Sequence, residues 1–389
     1  MRKIKKVLHG FVFLWIMFLY FFSFPLAFVI YGKKKYWIIS EVDFDARDNG
    51  FQFFKYLNKE HKEINSLYLI SKNNPYYSLV KSVGNVIEPL TYKHMLVFIA
   101  ARAKISTLVH GCSPNSYLTL YLRKFHSTGK NIALKHGIFK NLHPNYFKKN
   151  AHLDLICCGG KPEFDFIDSC FGYEAGVAQY TGLARFDELH NFATEKELLI
   201  MPTWRRWLDP IKTEEDFKQT EYFQKWIELA NSLSSNNFVK KHEIHISFFL
   251  HPKLNKYFKL IKTSCPSISF FSSAQGDNVQ SHLKSASLLI TDFSSVFFDF
   301  AYMKKPSIYF QFDEKQYFGE HYIKAYFDYR ENGFGPVATD PLSVVNEIGR
   351  ICRNNFLIDD VYKKRCEDFF VISDSMNCER IFSQIVKII

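Results

Sequence analysis

The chain has 389 residues, enough for two domains of ordinary size and a short additional segment. Hydrophobic residues make up 47% and aromatic residues 17% of it, which excludes a mainly disordered protein. Seven of the basic residues behind the net charge of +11 lie in residues 1–35, which contain no acidic residue. The rest of the chain is therefore only weakly basic, and nucleic acid is not expected as a partner.

The first predicted element is an apolar helix. Residues 7–30 contain no charged residue, and a helix of that length can cross a hydrocarbon core of about 30 Å. Lysines flank it on both sides and would be attracted to anionic lipid. Residues 1–35 are thus predicted to form a membrane anchor at the cell membrane, with the globular part on the cytoplasmic face. A helix that only dips into the cytoplasmic leaflet is the alternative.

From residue 36 onward, short apolar runs alternate with helical patterns, as in a parallel sheet covered by helices on both faces. Helices are predicted over residues 49–61 and 92–102. The predicted strands are residues 36–41, 64–71, 84–90, 104–110, 131–136 and 154–159. They define a first α/β domain, residues 36–190.

A second series of strands and helices begins near residue 195, after a polar stretch that we take as the domain boundary. Its predicted strands are residues 196–203, 242–251, 267–273, 287–292 and 307–313, and its predicted helices are residues 214–233, 278–285 and 296–303. A helical tail, residues 341–389, completes the second domain, residues 191–389. Two such domains are expected to face a cleft, with ligands at the carboxyl ends of the strands.

One of these strand ends has the character of a phosphate site. The strand over residues 287–292 ends in Thr291-Asp292 and is followed by Phe293, the hydroxyls of Ser294 and Ser295, and a helical pattern. Backbone N–H groups are free at such a junction, and the helix dipole is positive there. The sequence therefore predicts a phosphate site over Thr291–Ser295, with an ordinary helix cap by Asp292 or Ser294 as the structural alternative.

Three further strand ends carry side chains suited to acid–base or phosphate chemistry. His251 ends a strand and is followed by a proline, which favours an extended backbone at the histidine. Arg205 follows the strand before it and has the guanidinium that suits a diphosphate. His136-Gly137 and His110-Gly111 each follow a strand, and spacing does not choose between these two histidines as a general base.

Other common sites have no sequence support. There is no phosphate-binding P-loop and no Gly-x-Gly-x-x-Gly, so no cofactor is assigned. Asp43-Phe44-Asp45 is formally a metal-binding Asp-x-Asp, but it more simply begins a helix, so no metal ligand is assigned and a divalent cation is left open. The eight cysteines lack Cys-x-x-Cys spacing, which predicts reduced and mostly buried thiols.

Several motifs together resemble one family, the CDP-glycerol glycerophosphotransferases of bacterial teichoic acid and capsule synthesis. In order, they are KHGIFKNLH, TGLARFDEL, MPTWR, LHPKL and ITDFSSVFFDFAYMKKP, and the resemblance extends from Trp37 to Arg380. It implies two Rossmann-like domains in a GT-B-like fold and association with a membrane. It also implies transfer of glycerol phosphate, or ribitol phosphate in relatives, from CDP-glycerol or CDP-ribitol to a lipid-linked or teichoic glycan acceptor, with release of CMP.

The resemblance also implies roles for individual residues. It favours His136 over His110 as the general base, and it places His251 at the donor phosphates. The other positions that match the donor site are Arg185, Thr203, Ser294, Ser295 and Asp299. After His-Gly this chain has Ile138-Phe139-Lys140, where the family commonly has Thr-Pro or Thr-Lys.

Two other functions remain open at this stage. A GT-B glycosyltransferase that uses a CMP-sugar such as sialic acid would share a His-Pro and a Ser-Ser pair, but it would direct attack at carbon. A non-catalytic, membrane-associated binding protein would be expected to lack one histidine or the serine pair, and this chain has all of them.

Overall fold

A computed structural model describes residues 2–41, 45–114, 123, 128–321 and 323–389. The chain divides into two compact units. Unit 1 comprises Met1–Ile138, His143–Asp187 and Asp374–Ile389, and unit 2 comprises Phe139–Leu142 and Glu188–Ser373.

Unit 1 is built on a seven-stranded parallel sheet. Its strands are β1 Trp37–Ser40, β2 Ser66–Leu69, β3 Val86–Ile87, β4 Ala103–Ser106, β5 Lys130–Ala133, β6 Leu155–Cys158 and β7 Ala178–Tyr180. The spatial order is β3-β2-β1-β4-β5-β6-β7, so the chain reverses its direction of travel across the sheet between β1 and β4. Loops at such a switch point are the usual location of ligand sites.

Helices cover both faces of this sheet, and each face has its own apolar core. The helices are α1 Arg2–Tyr31, α2 Asn49–Glu60, α3 Tyr77–Val83, α4 Tyr92–Ala100, α5 Lys148–Ala151 and α6 Lys161–Cys170. Because both faces are covered, the central strands are buried throughout their length, which explains why they are nearly continuous apolar runs.

Where its side chains are described, helix α1 packs on α4 along one side. Tyr20 and Ala27 are buried with residues of α4, and the hydroxyls of Ser23 and Tyr92 are 2.9 Å apart. Among the residues that the structure describes, no helix has both the length and the apolarity that a membrane crossing requires. The spanning anchor predicted over residues 7–30 therefore has no support in this structure.

Unit 2 contains a six-stranded parallel sheet. Its strands are β8 Glu197–Met201, β9 His245–Leu250, β10 Ser269–Ser272, β11 Leu288–Thr291, β12 Ser307–Phe310 and β13 Val337–Ala338. The spatial order is β10-β9-β8-β11-β12-β13, so β8 and β11 are neighbours on either side of the switch point. The loops that follow these two strands are therefore brought to one place.

The helices of unit 2 bury one large core that includes Trp226, Phe248 and Phe310. They are α7 Glu214–Lys218, α8 Glu221–Ser235, α9 Asn237–Lys241, α10 Phe258–Ser264, α11 Val279–Ser285, α12 Phe297–Tyr302, α13 Glu314–Gln316, α14 Pro341–Arg353 and α15 Asp360–Phe369. The prediction of two α/β domains with parallel sheets is thus confirmed.

The last helix, α16 (Asn377–Ile388), belongs to unit 1, whereas the sequence placed all of residues 191–389 in the second domain. Ile381 and Ile385 are fully buried in the core that contains Trp37. The Asp187 carboxylate accepts hydrogen bonds from the first two N–H groups of α16, at 2.8 and 2.9 Å. Burial of this apolar face and satisfaction of free N–H groups hold the helix in unit 1.

All eight cysteines are free, and six of them are buried, while Cys170 is exposed. Burial raises the pKa of the Cys112 thiol to about 11, because the thiolate would lose its hydration. The prediction of mostly buried thiols is confirmed.

Candidate active site

The clearest constellation in unit 1 is built around His136, which lies shortly after β5. The His136 side chain is 71% exposed, and its Nδ1 lies 2.5 Å from Oδ2 of Asp48. The other carboxylate oxygen of Asp48 accepts a hydrogen bond from Nη1 of Arg185 at 2.9 Å. A mostly buried carboxylate thus holds one nitrogen of an exposed imidazole, which leaves Nε2 as the other nitrogen available to a substrate.

Hydrogen bonds between side chains and backbone groups fix the three segments that carry these residues. Asn49 donates from Nδ2 to the carbonyl of Lys135 at 2.8 Å and accepts at Oδ1 from the N–H of Arg185 at 3.0 Å. Arg185 also donates from Nη1 to the carbonyl of His136 at 2.8 Å. Lys135 has a φ of 61°, and its side chain forms a fully buried ion pair with Glu163. Together these contacts fix the backbone on which His136 stands.

The start of α2, which presents Asp48, is held by Glu41. Its carboxylate accepts hydrogen bonds from the backbone N–H groups of Arg47 at 2.8 Å, Asp48 at 3.0 Å and Phe51 at 2.6 Å. Gly50 makes room for it, since a Cβ at that position would lie 2.8 Å from Cγ of Glu41. Burial, together with the charge of Asp48, raises the pKa of Glu41 to about 8.

Charge interactions couple Asp48 and His136. Burial alone would raise the pKa of Asp48, but the positive charges of His136 and Arg185 lower it below its usual value. The Asp48 charge in turn raises the pKa of His136 above its usual value. Sequence reasoning did not identify Asp48, although its loop, which follows the first strand of the sheet, was among those expected to carry chemistry.

Replacing Asp48 with asparagine should change the pH dependence of the reaction that His136 supports. Without the Asp48 charge, the pKa of His136 falls toward its usual value, so the acidic limb of the pH–rate profile moves to lower pH. Turnover should also fall by at least about tenfold, because the imidazole loses its orienting partner. Asp45→Asn, in the same loop, is the matched control. An unchanged acidic limb in Asp48→Asn would show that Asp48 does not act through His136.

The corresponding loops of unit 2 are joined by a buried ion network. The Asp292 carboxylate accepts hydrogen bonds from the N–H of Thr203 at 2.9 and 3.1 Å and pairs with Arg205 at 2.8 Å. Arg205 also forms a two-point contact with Asp313, at 2.6 and 3.0 Å. Arg205 is fully buried. Burial alone would lower the pKa of its guanidinium, but the charges of Asp292 and Asp313 outweigh this effect and raise the pKa above its usual value.

This network gives Arg205 a structural role, and its role as a ligand of the donor diphosphate stays a prediction. Its guanidinium is enclosed and already engaged by two carboxylates and the carbonyl of Thr203. Asp292 is likewise fully buried, and Thr291 is buried with its hydroxyl bonded to the carbonyl of Met201 at 2.6 Å. Both residues support the loop and do not present their side chains to a ligand.

Other predicted donor-site residues are more accessible. Ser294 and Ser295 are half-buried in the turn between β11 and α12, whereas Asp299, inside α12, is only 3% exposed. The hydroxyl of Thr203 is enclosed, and none of the residues that the structure describes forms a hydrogen bond with it. Ser294 and Ser295 are therefore the half-buried residues of the predicted donor site in this turn, and the Ser294 hydroxyl accepts a hydrogen bond from the N–H of Val296 at 3.4 Å.

His251 follows β9 and is partly exposed. Its Nδ1 accepts a hydrogen bond from the backbone N–H of Lys253 at 3.2 Å, which caps the turn that begins at Pro252. Its ring stacks against Trp204, with the centroids 6.4 Å apart. Because Nδ1 is an acceptor, the neutral imidazole carries its proton on Nε2, where it can donate to a phosphate oxygen.

The predicted site residues are divided between the two units. His136 and Arg185 meet in unit 1, and the remaining ones belong to unit 2. His110, the competing histidine, is exposed. Asp43 and Phe44 of the formal Asp-x-Asp lie outside the described residues, and within the described ones no cluster of His, Cys, Asp or Glu is arranged to hold a metal.

Two curated relatives show similarity over most of the chain. The minor teichoic acid biosynthesis protein GgaB of Bacillus subtilis is 31% identical over 374 residues, which is 93% of this chain and 41% of GgaB. The chain thus matches about two fifths of that protein. A teichoic acid glycerol-phosphate transferase of Staphylococcus aureus is 22% identical over 87% of this chain and 90% of its own length.

Solved structures show the same fold at low sequence identity. The wall teichoic acid polymerase TagF superposes with a TM-score of 0.69 over 99% of this chain and 97% of that chain, at 16% identity. A complex of S. aureus MnaA with UDP superposes with a TM-score of 0.55 at 12% identity, over 91% and 96% of the two chains.

The family model for CDP-glycerol:poly(glycerophosphate) glycerophosphotransferase matches residues 22–387, nearly the whole chain. It includes both histidines, the Asp48–Arg185 contact and the Ser294–Ser295 turn, and this agrees with the motifs from which the family was identified. The chain belongs to the CDP-glycerol:poly(glycerophosphate) glycerophosphotransferase family.

Proposed function

We propose that this chain transfers glycerol phosphate, or a related alditol phosphate, from a CDP-activated donor to a hydroxyl of a lipid-linked or capsular or teichoic glycan. CMP is the second product. Membership of the family supports the donor class. The observation that carries the proposal is the exposed imidazole of His136, held at Nδ1 by the Asp48 carboxylate.

On the acceptor side, His136 acts as the general base. Its Nδ1–H donates to Asp48, so the lone pair on Nε2 accepts the proton of the acceptor hydroxyl as that oxygen attacks. The Asp48 carboxylate stabilises the imidazolium that results, consistent with its raising the pKa of His136. Arg185 keeps Asp48 ionised for this task.

On the donor side, His251 and the hydroxyls of Ser294 and Ser295 bind the phosphates. The acceptor oxygen bonds to the β-phosphorus, the bond from that phosphorus to the bridging oxygen breaks, and CMP leaves with the electron pair. Nε2–H of His251 and the two hydroxyls donate to the oxygens on which negative charge develops.

The first test is CMP release by the purified full chain, supplied with CDP-glycerol, CDP-ribitol or CMP-sialic acid and a membrane glycolipid extract as acceptor. Acceptor-dependent release from one CDP-alditol would support the proposal and identify the donor. Release only from CMP-sialic acid would instead indicate the glycosyltransferase, and no release from any donor would favour a binding protein.

We also propose that α1 attaches the protein to the cytoplasmic face of the cell membrane without crossing it. The side of α1 away from α4 carries exposed large apolar residues, including Trp15, Phe18, Phe22 and Val29. Lys33, Lys34 and Lys35 follow it and are exposed. An apolar helix face beside a group of lysines suits the interface of an anionic bilayer.

Phe22→Glu combined with Val29→Glu should reduce binding of the full chain to phosphatidylglycerol vesicles by about tenfold or more, because two apolar contacts with the bilayer are lost. These side chains are 71% and 81% exposed, so the fold should be unaffected. Vesicle flotation measures binding. Leu342→Glu with Val371→Glu, exposed apolar residues of unit 2, is the matched control. Equal binding of both double variants would refute this role of α1.

A further inference from the structure

Lys140 is a buried lysine in an unusual position. It is only 7% exposed, and it lies in the short segment Phe139–Leu142 that belongs to unit 2 although the residues on either side belong to unit 1. The segment is fixed by a bridge between Asn141 and Lys324 and by a hydrogen bond from the N–H of Leu142 to the carbonyl of Ile323 at 3.0 Å. The Lys140 side chain is therefore held in the body of unit 2 by its backbone.

The Lys140 ammonium has few partners. It lies 5.9 Å from the centroid of the Phe297 ring, and no residue in the described part of the chain accepts a hydrogen bond from it or forms an ion pair with it. Burial, only partly offset by the charge of Asp292, lowers its pKa to about 8. Burying an ammonium without a hydrogen-bonded partner costs free energy of folding. Such groups cluster at binding and catalytic sites, where a ligand can supply the missing partner.

Asp292 is close enough to attract Lys140, but its carboxylate is already engaged. It pairs with Arg205 at 2.8 Å and accepts hydrogen bonds from the N–H groups of Thr203 and Phe293, at 2.9 and 2.5 Å. Because the N–H of Thr203 contacts both oxygens, the carboxylate receives four contacts in all, which occupy its roughly four lone-pair sites. The ammonium is left with an unfilled requirement for a negatively charged oxygen.

The groups that Lys140 lies near, Asp292 and Phe297, flank the turn that carries Ser294 and Ser295. Phe297, whose ring faces the ammonium, is the first residue of α12, directly after Ser294, Ser295 and Val296. Arg205, the cation predicted for this place, is fully enclosed by Asp292 and Asp313. Lys140 thus offers the positive charge that a diphosphate at this turn requires.

We propose that Lys140 is a donor-binding residue whose ammonium contacts the diphosphate of the nucleotide-activated donor beside Ser294 and Ser295. This inference rests on the proposed function and adds to it the cation of the phosphate site. The diphosphate oxygens pair with the Lys140 ammonium, which Asp292 does not do. Binding of the donor therefore compensates the buried positive charge.

A purely structural role is the competing explanation, because Lys140 offsets the net negative charge of Arg205 with Asp292 and Asp313. The two roles differ in what they affect. A donor-binding lysine controls the KM for the CDP-alditol, whereas a charge-balancing lysine controls the stability of unit 2 and leaves the KM of the folded enzyme unchanged.

The test compares Lys140→Met and Lys140→Arg with Lys324→Met, an exposed lysine of the adjoining segment, as the control. We expect Lys140→Met to raise the donor KM at least about tenfold with little change in the acceptor KM, and Lys140→Arg to restore most of the lost donor affinity. Lys324→Met should behave as wild type. Thermal unfolding of each variant shows whether it is folded.

Calorimetric binding of inorganic pyrophosphate to the same full-length variants separates this inference from the proposed function. If no CDP-alditol is a substrate but pyrophosphate binds the wild type and binds Lys140→Met at least about tenfold more weakly, the proposed function fails and the phosphate role of Lys140 stands. An unchanged donor KM in folded Lys140→Met would overturn the inference, as would pyrophosphate binding equal to that of wild type or absent from both proteins.

Discussion

His136→Ala should lower the turnover of glycerol phosphate transfer by about 10²- to 10⁴-fold, the usual contribution of a general base. The side chain is 71% exposed and its removal opens no cavity, so the variant should unfold at a temperature close to that of the wild type. Acceptor-dependent CMP release measures the first quantity and thermal unfolding the second. His251→Ala should also abolish transfer, because the donor phosphates lose a hydrogen bond that grows stronger in the transition state.

His110→Ala is the control for His136→Ala, because both histidines precede a glycine after neighbouring strands and both are exposed. It should retain near wild-type turnover, since it is the His136 imidazole that is bonded to the Asp48 carboxylate. Near wild-type turnover of folded His136→Ala would remove the assignment of the general base. A loss of turnover in His110→Ala alone would transfer that role to His110.

Arg205→Met should destabilise unit 2 by about 3–5 kcal/mol, the usual cost of removing one partner from a buried ion network. The variant would leave Asp292 and Asp313 buried without their shared cation, and the first of these also holds the N–H of Thr203. Denaturant unfolding of the full chain measures the loss. The KM for the CDP-alditol, measured on the fraction that remains folded, should stay close to the wild-type value although the free energy of unfolding falls.

The matched control is Arg206→Met, because Arg206 is the next residue along the chain and is exposed. Its stability should lie within about 0.5 kcal/mol of the wild type. If Arg205→Met instead unfolded like the wild type and raised the donor KM, the guanidinium would be the diphosphate ligand that the sequence predicted, and the buried network would be a minor contribution to stability.

Much of the fold could be predicted from local patterns. The eleven predicted strands all occur, because each is an apolar run of the length and flanking composition that buried parallel strands require. The strands β7 and β13, of three and two residues, were not predicted. The family and the pair His136 and His251 were likewise identified from local motifs, whose residues are close together in the chain.

Properties that depend on residues far apart in the chain could be decided only by the tertiary structure. Arg205 and Lys140 are both basic residues beside predicted strand ends, and the sequence favoured Arg205 as the phosphate ligand. Packing enclosed Arg205 between Asp292 and Asp313, more than 80 residues away, and left Lys140 without a hydrogen-bonded partner. Burial and pairing determine what a charged side chain can do, and neither is a property of its neighbours in sequence.

In unit 1, too, features written in contiguous residues were predicted, whereas contacts between distant residues were not. The sequence by itself determined the alternation of strands and helices, the family and the His136 motif, all of which are written in contiguous residues. Only the tertiary structure brought Asp48 to His136 across 88 positions of the chain, returned α16 to the first sheet, and packed one side of α1 on α4. These contacts form because parallel strands align their carboxyl ends and because apolar faces must be buried, and both conditions act on the folded chain as a whole.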